Sequence, residues 1–146
     1  MPTTIAHELR ISAPPSAVYR ALTTVADLQQ WCAAAVTLQG GTTRTQQGDL
    51  IDMHFGPGKD FQWEVVHLEP DRHVGWNCVA GPDDAAGKGV AIDLTDNGDG
   101  RTRVSLEHKG WTEGHPEFVG CNTRWGALLG QLKHYLEHGT SQKSVA

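Results

Sequence analysis

Residues 115–139 read HPEFVGCNTRWGALLGQLKHYLEHG, and this stretch decides the fold. Phe118, Asn122, Trp125, Leu128, Leu129, Leu132, Tyr135 and Leu136 recur at helical spacing between a proline at position 116 and a glycine at position 139. Proline suits a first helical turn and glycine a left-handed C-terminal stop, so the spacing predicts one helix over 116–138. Such a helix is about 35 Å long at 1.5 Å per residue, enough to cross an entire sheet. Its single broad apolar stripe needs a surface to lie on.

That surface is written upstream. From position 36 to 109 the pattern is strand after strand, about six in all, broken at Gly40-Gly41, residues 56–58, Pro70-Asp71, residues 81–89 and residues 97–100. Two-fold alternation turns five sets inward: Ile51, Met53 and Phe55; Phe61, Trp63 and Val65; Val74, Trp76 and Cys78; Val90, Ile92 and Leu94; Val104, Leu106 and His108. The step from Val65 to Leu68 breaks the alternation, as a β-bulge would. Ahead of these, residues 3–12 alternate as a first strand with Ile5, His7, Leu9 and Ile11 on one face. Pro14-Pro15 then opens a short helix, and Thr24 with Asp27 resembles a capping box opening a second.

The expected architecture is α+β: a curved antiparallel β-sheet wrapped around a long C-terminal α-helix, with two short helices after the first strand. No repeat or linker divides residues 1–146, whose length suits a single domain. A striped rod on a bent sheet leaves a gap, and that gap is the candidate ligand site.

Composition narrows the function. The chain has 12 Lys+Arg against 17 Asp+Glu, a formal charge of −5, which argues against a phosphate-tracking surface and hence against nucleic acid as partner. No apolar run is long enough to span a bilayer and residues 1–10 do not read as a leader, so a cytoplasmic protein without membrane insertion is expected. Cys32, Cys78 and Cys121 are odd in number and widely spaced, and read as reduced thiols.

Four stretches occur together and in order: residues 11–22, ISAPPSAVYRAL, with Trp31 beyond; Leu68-Glu69-Pro70 followed by Val74 and Trp76; His108-Lys109-Gly110-Trp111; and Trp125 through LKHYLEHG at 132–139. In them the chain resembles the helix-grip superfamily that includes START lipid-transfer domains, polyketide cyclases and birch-pollen-allergen-like proteins. It is most similar to the branch named after the activator of heat-shock-protein-90 ATPase. The resemblance implies a hydrophobic cavity between sheet and final helix, and little about chemistry, because the superfamily spans carriers, receptors and cyclases. Two departures stand out. Gly48-Asp49 replaces the Gly-Gly that many relatives carry ahead of the third strand, and Trp63 stands where relatives often have a small residue, which implies a narrower cavity.

The candidate ligand-binding residues are Phe55, Trp63, Trp76, His108, Trp111, Asn122, Trp125 and Leu129. The aromatic residues would wall the cavity, while His108, ending a strand on its inward face, and Asn122, set in the apolar stripe, would orient a ligand. Each also has a plain packing explanation: a histidine bonded to backbone, an amide reaching solvent, an indole in the core. His7 draws the same suspicion with less support. Cys121 has no nearby base to make it a nucleophile, and His134 with His138 lacks a third metal ligand. The loop at 81–89 lacks the phosphate-loop spacing, and Asp93, Asp96 and Asp99 miss the calcium-loop pattern. No cofactor and no metal is expected.

The leading expectation is binding of a small hydrophobic molecule in the cavity. A cyclase- or lyase-type enzyme acting on an aromatic or polyketide-like substrate, with His108 as acid or base, is one alternative. A co-chaperone-like interaction module, suggested by the branch name, is another. Self-association as a homodimer through sheet edges stays open.

Overall fold

The computed structural model describes residues 4–32, 35–39, 43–82 and 85–139. The turn expected at Gly40-Gly41 and the start of the first strand at Thr3 lie outside the described residues. The chain runs β1 (Ile5–Ile11), α1 (Pro15–Thr23), α2 (Val25–Cys32), β2 (Ala35–Leu38), β3 (Leu50–His54), β4 (Asp60–Glu69), β5 (His73–Ala80), β6 (Gly89–Asp96), β7 (Thr102–Lys109) and α3 (Phe118–His138). This is the α+β helix-grip architecture that the sequence led us to expect.

The seven strands form one antiparallel sheet in the order β1-β7-β6-β5-β4-β3-β2. Strands β2 to β7 are a meander, β1 closes onto β7, and α1 with α2 carries the chain from one edge of the sheet to the other. Pro15 at the first helical position supplies the φ that α1 needs. Asp27 lies in the first turn of α2, where its carboxylate receives the Tyr135 hydroxyl from α3. Burial and that carboxylate push the Tyr135 pKa up to about 12.

The five inward sets behave as their alternation requires, with Ile51, Met53, Trp63, Val65, Val74, Trp76, Cys78, Val90, Ile92, Leu94, Val104, Leu106 and His108 all buried. Phe55, just beyond β3, and Phe61 are half-buried. The break after Val65 is a bulge: Val65 pairs with Trp76 and His67 with Gly75, which leaves Val66 unmatched. A second bulge lies at the other end of the same strand pair, where Gln62 pairs with Ala80 and Trp63 with Cys78, leaving Val79 over. Bulges bend and twist a sheet, and both extra valines face outward.

Helix α3 begins at Phe118 rather than Pro116, because the Phe118 N–H closes a tighter turn on the His115 carbonyl before regular bonding starts. It ends at Gly139, whose φ of 73° is the left-handed stop. Its C-terminal half is tied down by several bonds: Gln131 Nε2 donates to the Trp31 carbonyl at 2.6 Å, Lys133 Nζ to the Arg10 carbonyl at 2.6 Å, and the Ser12 N–H to Glu137 at 2.8 Å. Helix α3 comes closest to β1, α2 and α1, so its first turns overhang the middle of the sheet.

One buried bond joins the entry of α1 to β7. Thr102, wholly buried, donates its hydroxyl to the Ala13 carbonyl at 2.7 Å. Thr102→Val keeps the shape and orphans that carbonyl, so we expect a loss of about 1–3 kcal/mol. It should appear as a lower urea midpoint at unchanged slope; an unchanged midpoint would assign the bond no net worth.

Candidate functional site

Beneath the overhanging turns of α3 lies a cavity of ≈ 80 Å³. Met53, Trp63, Trp76 and His108 rise into it from the sheet, and Cys121, Trp125 and Leu128 close it from the helix. Phe61, Pro82, His115, Glu117 and Arg124 also line it, half-buried or exposed, and mark its mouth. An apolar cavity of about 150 Å³ takes up benzene, so the enclosed part is narrow, and a ring-sized guest has to extend into the mouth.

Trp63 sets that width. Its ring stacks on Phe61 at 6.2 Å and meets Trp76 at 6.1 Å, His108 at 6.3 Å and Trp125 at 6.4 Å. These separations fall within the range of favourable aromatic pairs, so the cavity wall is held by ring-to-ring packing as well as by the sheet.

His108 is 4% exposed and sits between Trp111 and Trp125. Trp125 donates its indole N–H to His108 Nδ1 at 2.9 Å. An imidazole nitrogen that accepts carries no proton, so the neutral ring holds its hydrogen on Nε2. Burial, reinforced by the Lys88 charge, lowers the His108 pKa to about 4 and keeps it neutral. Nε2 has no hydrogen-bond partner among the described residues. His108 is therefore set as a neutral donor, and its accepting nitrogen is engaged by the helix.

Lys88, 5% exposed, also reaches the cavity, with its ammonium 4.6 Å from the centre of the Trp111 ring. The chain leaving β7 passes close to it at Gly110, whose φ is +104° and where an added Cβ would stand 3.2 Å from the Lys88 Cα. Only glycine fits there, and that fit lays Trp111 under Lys88.

Of the eight residues read from the sequence, Phe55, Trp63, Trp76, His108, Trp111 and Trp125 line the cavity. Leu129 does not; it is buried in the core one residue past Leu128, which does line it. Asn122 is exposed and lies outside the cavity, where its backbone carbonyl accepts from His7 Nε2 at 3.1 Å. His7 thus serves as a clasp between β1 and α3, packed against Gly126. Cys121 lines the cavity, with burial raising its pKa, so its thiol is no ready nucleophile.

The rings of His134 and His138 lie 4.7 Å apart, tilted at 44°, and no group of three metal-binding side chains occurs among the described residues. Asp99 pairs with Arg101 at 2.6 Å and Asp93 with His73 at 2.7 Å, as turn and strand contacts. Phe61, read as facing inward, was not placed in the site, and Lys88, His115 and Arg124 were missed. The sequence signals each gives, a lysine between loop glycines or a charge at a helix start, are those of solvated residues. Among the described residues no helix is long and apolar enough to cross a membrane.

Known proteins share this fold. The chain resembles the solution structure of the Aha1 dimer from Colwellia psychrerythraea at 30% identity and a TM-score of 0.79, over 93% of this chain and 97% of that one. Protein CV1439 from Chromobacterium violaceum superposes with a TM-score of 0.73 at 22% identity, over 94% of this chain and 99% of that one. DynU16, from the dynemicin biosynthetic locus, does so at 0.75 and 23%, over 97% of this chain and 49% of its own length. The last two likenesses show the fold alone. None of the curated proteins matches. Residues 12–137 match the family described as Activator of Hsp90 ATPase homolog 1-like protein, a span from the end of β1 to the last turn of α3, and the chain belongs to that family.

Proposed function

We propose that the chain binds a small, largely apolar molecule in the cavity between the sheet and α3. The observation that carries this reading is the hollow itself, walled by Trp63, Trp76 and Trp125 with a half-open mouth at Phe61 and Pro82. A panel of small aromatic and short aliphatic compounds should change the intrinsic tryptophan fluorescence. Leu128→Trp, which fills the space from the helix side, should weaken that response about 10-fold or more while circular dichroism stays native. If no compound perturbs fluorescence or melting temperature, the proposal fails.

The bonding of His108 favours binding over a cyclase- or lyase-type reaction in which it takes a proton, since its accepting nitrogen already holds the Trp125 N–H. A co-chaperone-like role has less support: the large exposed apolar side chains among the described residues are Val66, Val79 and Val119, spread over β4, β5 and α3. A homodimer is the reading suggested by the Colwellia relative, whose structure is a dimer; a monomer-sized mass by light scattering would oppose it. The free thiols of Cys32, Cys78 and Cys121 fit a cytoplasmic setting.

A further inference from the structure

Among the described residues, four buried polar side-chain atoms lack any hydrogen-bond partner in the protein: Thr45 Oγ1, Trp76 Nε1, His108 Nε2 and Trp111 Nε1. Three of the four belong to residues lining this one cavity. Their neighbours are satisfied, with the Trp31 N–H on the Ala21 carbonyl at 2.9 Å and the Trp125 N–H on His108. Buried polar groups are overwhelmingly paired, so a cluster of three unpaired groups around one hollow marks where a ligand, or the water it displaces, is held.

All three are of one kind. The indole nitrogens are donors only, and His108 Nε2 is a donor because Nδ1 accepts. Among the described lining residues charge points the same way: Lys88 stands over Trp111 and Arg124 lines the mouth, with Glu117 as the carboxylate. A cationic or donor-bearing ligand would leave the three N–H groups unmet and face Lys88. An anionic oxygen would accept from them and lie in the field of that charge.

Building on the apolar-ligand reading above, we infer that the ligand is a flat apolar anion: a ring system bearing a carboxylate or phenolate oxygen, held by the Trp76, Trp111 and His108 N–H groups beside Lys88. The ring lies among Trp63, Phe61 and Trp125, and the oxygen lies on the donors.

The test compares three probes of one size at neutral pH: benzoate, toluene and benzylammonium. Binding is followed by the nitrogen–proton correlation spectrum of the tryptophan side chains. Benzoate should bind about 10-fold or more tightly than toluene, the scale of a charge-assisted hydrogen bond, with benzylammonium weakest. The indole protons of Trp76 and Trp111 should move downfield with benzoate, while those of Trp31 and Trp125, already bonded, should move less. Lys88→Met should lower the ratio of benzoate to toluene affinity, and an unchanged ratio would overturn the part of Lys88 in the anion's site. Toluene or benzylammonium binding as tightly as benzoate, or static Trp76 and Trp111 protons, would overturn the anion and leave apolar binding standing. Binding of none of the three would overturn both.

Discussion

Trp63→Ala is expected to lose about 3–5 kcal/mol of stability, the usual cost of emptying a buried aromatic site. Trp63 is buried and its ring touches Phe61, Trp76, His108 and Trp125, so removing it takes away the group against which the others are braced. Domains of this size have about 5–15 kcal/mol in total, and the change should therefore show as a large fall in urea midpoint. The same substitution widens the hollow toward the size that accepts benzene, so benzene should raise the melting temperature of the variant more than that of the parent. A variant as stable as the parent would mean that Trp63 does not organise the wall.

Acid should act through His108. In the fold its pKa is about 4, against 6.5 for an unperturbed histidine. Between those values the unfolded chain binds a proton that the folded chain refuses, so the stability owed to the neutral ring is complete above pH 6.5 and drains away as pH falls toward 4. The difference corresponds to about 3 kcal/mol. Protonation also turns Nδ1 into a donor facing the Trp125 donor, which breaks the bond between sheet and helix at the cavity. Urea unfolding at neutral pH and near pH 4.5 should show the loss. His108→Gln, which has no proton to gain, should flatten it; an equally steep loss in that variant would assign the acid sensitivity to other groups.

Most of the fold was legible because its determinants are local. The helix stop at Gly139, the five alternating strand sets and the bulge after Val65 are written in neighbouring residues, and each stands where the pattern places it. The second bulge at Val79 gave no such sign, since it follows from how two distant strands pair.

The site was legible in its aromatic walls and illegible in its polarity. Asn122 lies three residues before Trp125 and so shares its stripe on paper, yet the first turns of α3 overhang the sheet and only one line of side chains meets the cavity. Asn122 falls beside that line, toward β1. The partner of His108 is Trp125, on another element, and no spacing rule announces it. Lys88 looks like a loop residue because it stands between Gly87 and Gly89; its burial depends on Gly110 letting Trp111 come beneath it.

The paired bulges at Val66 and Val79 bracket the short run of sheet that carries both Trp63 and Trp76. The aim of the two indoles is thus fixed by two kinks whose spare residues sit on the outer surface. The dimensions of the chamber can therefore be retuned from outside, by shortening or reshaping either kink, without altering a single residue of its lining. Relatives with the same wall residues but different bulges would be expected to prefer guests of different girth.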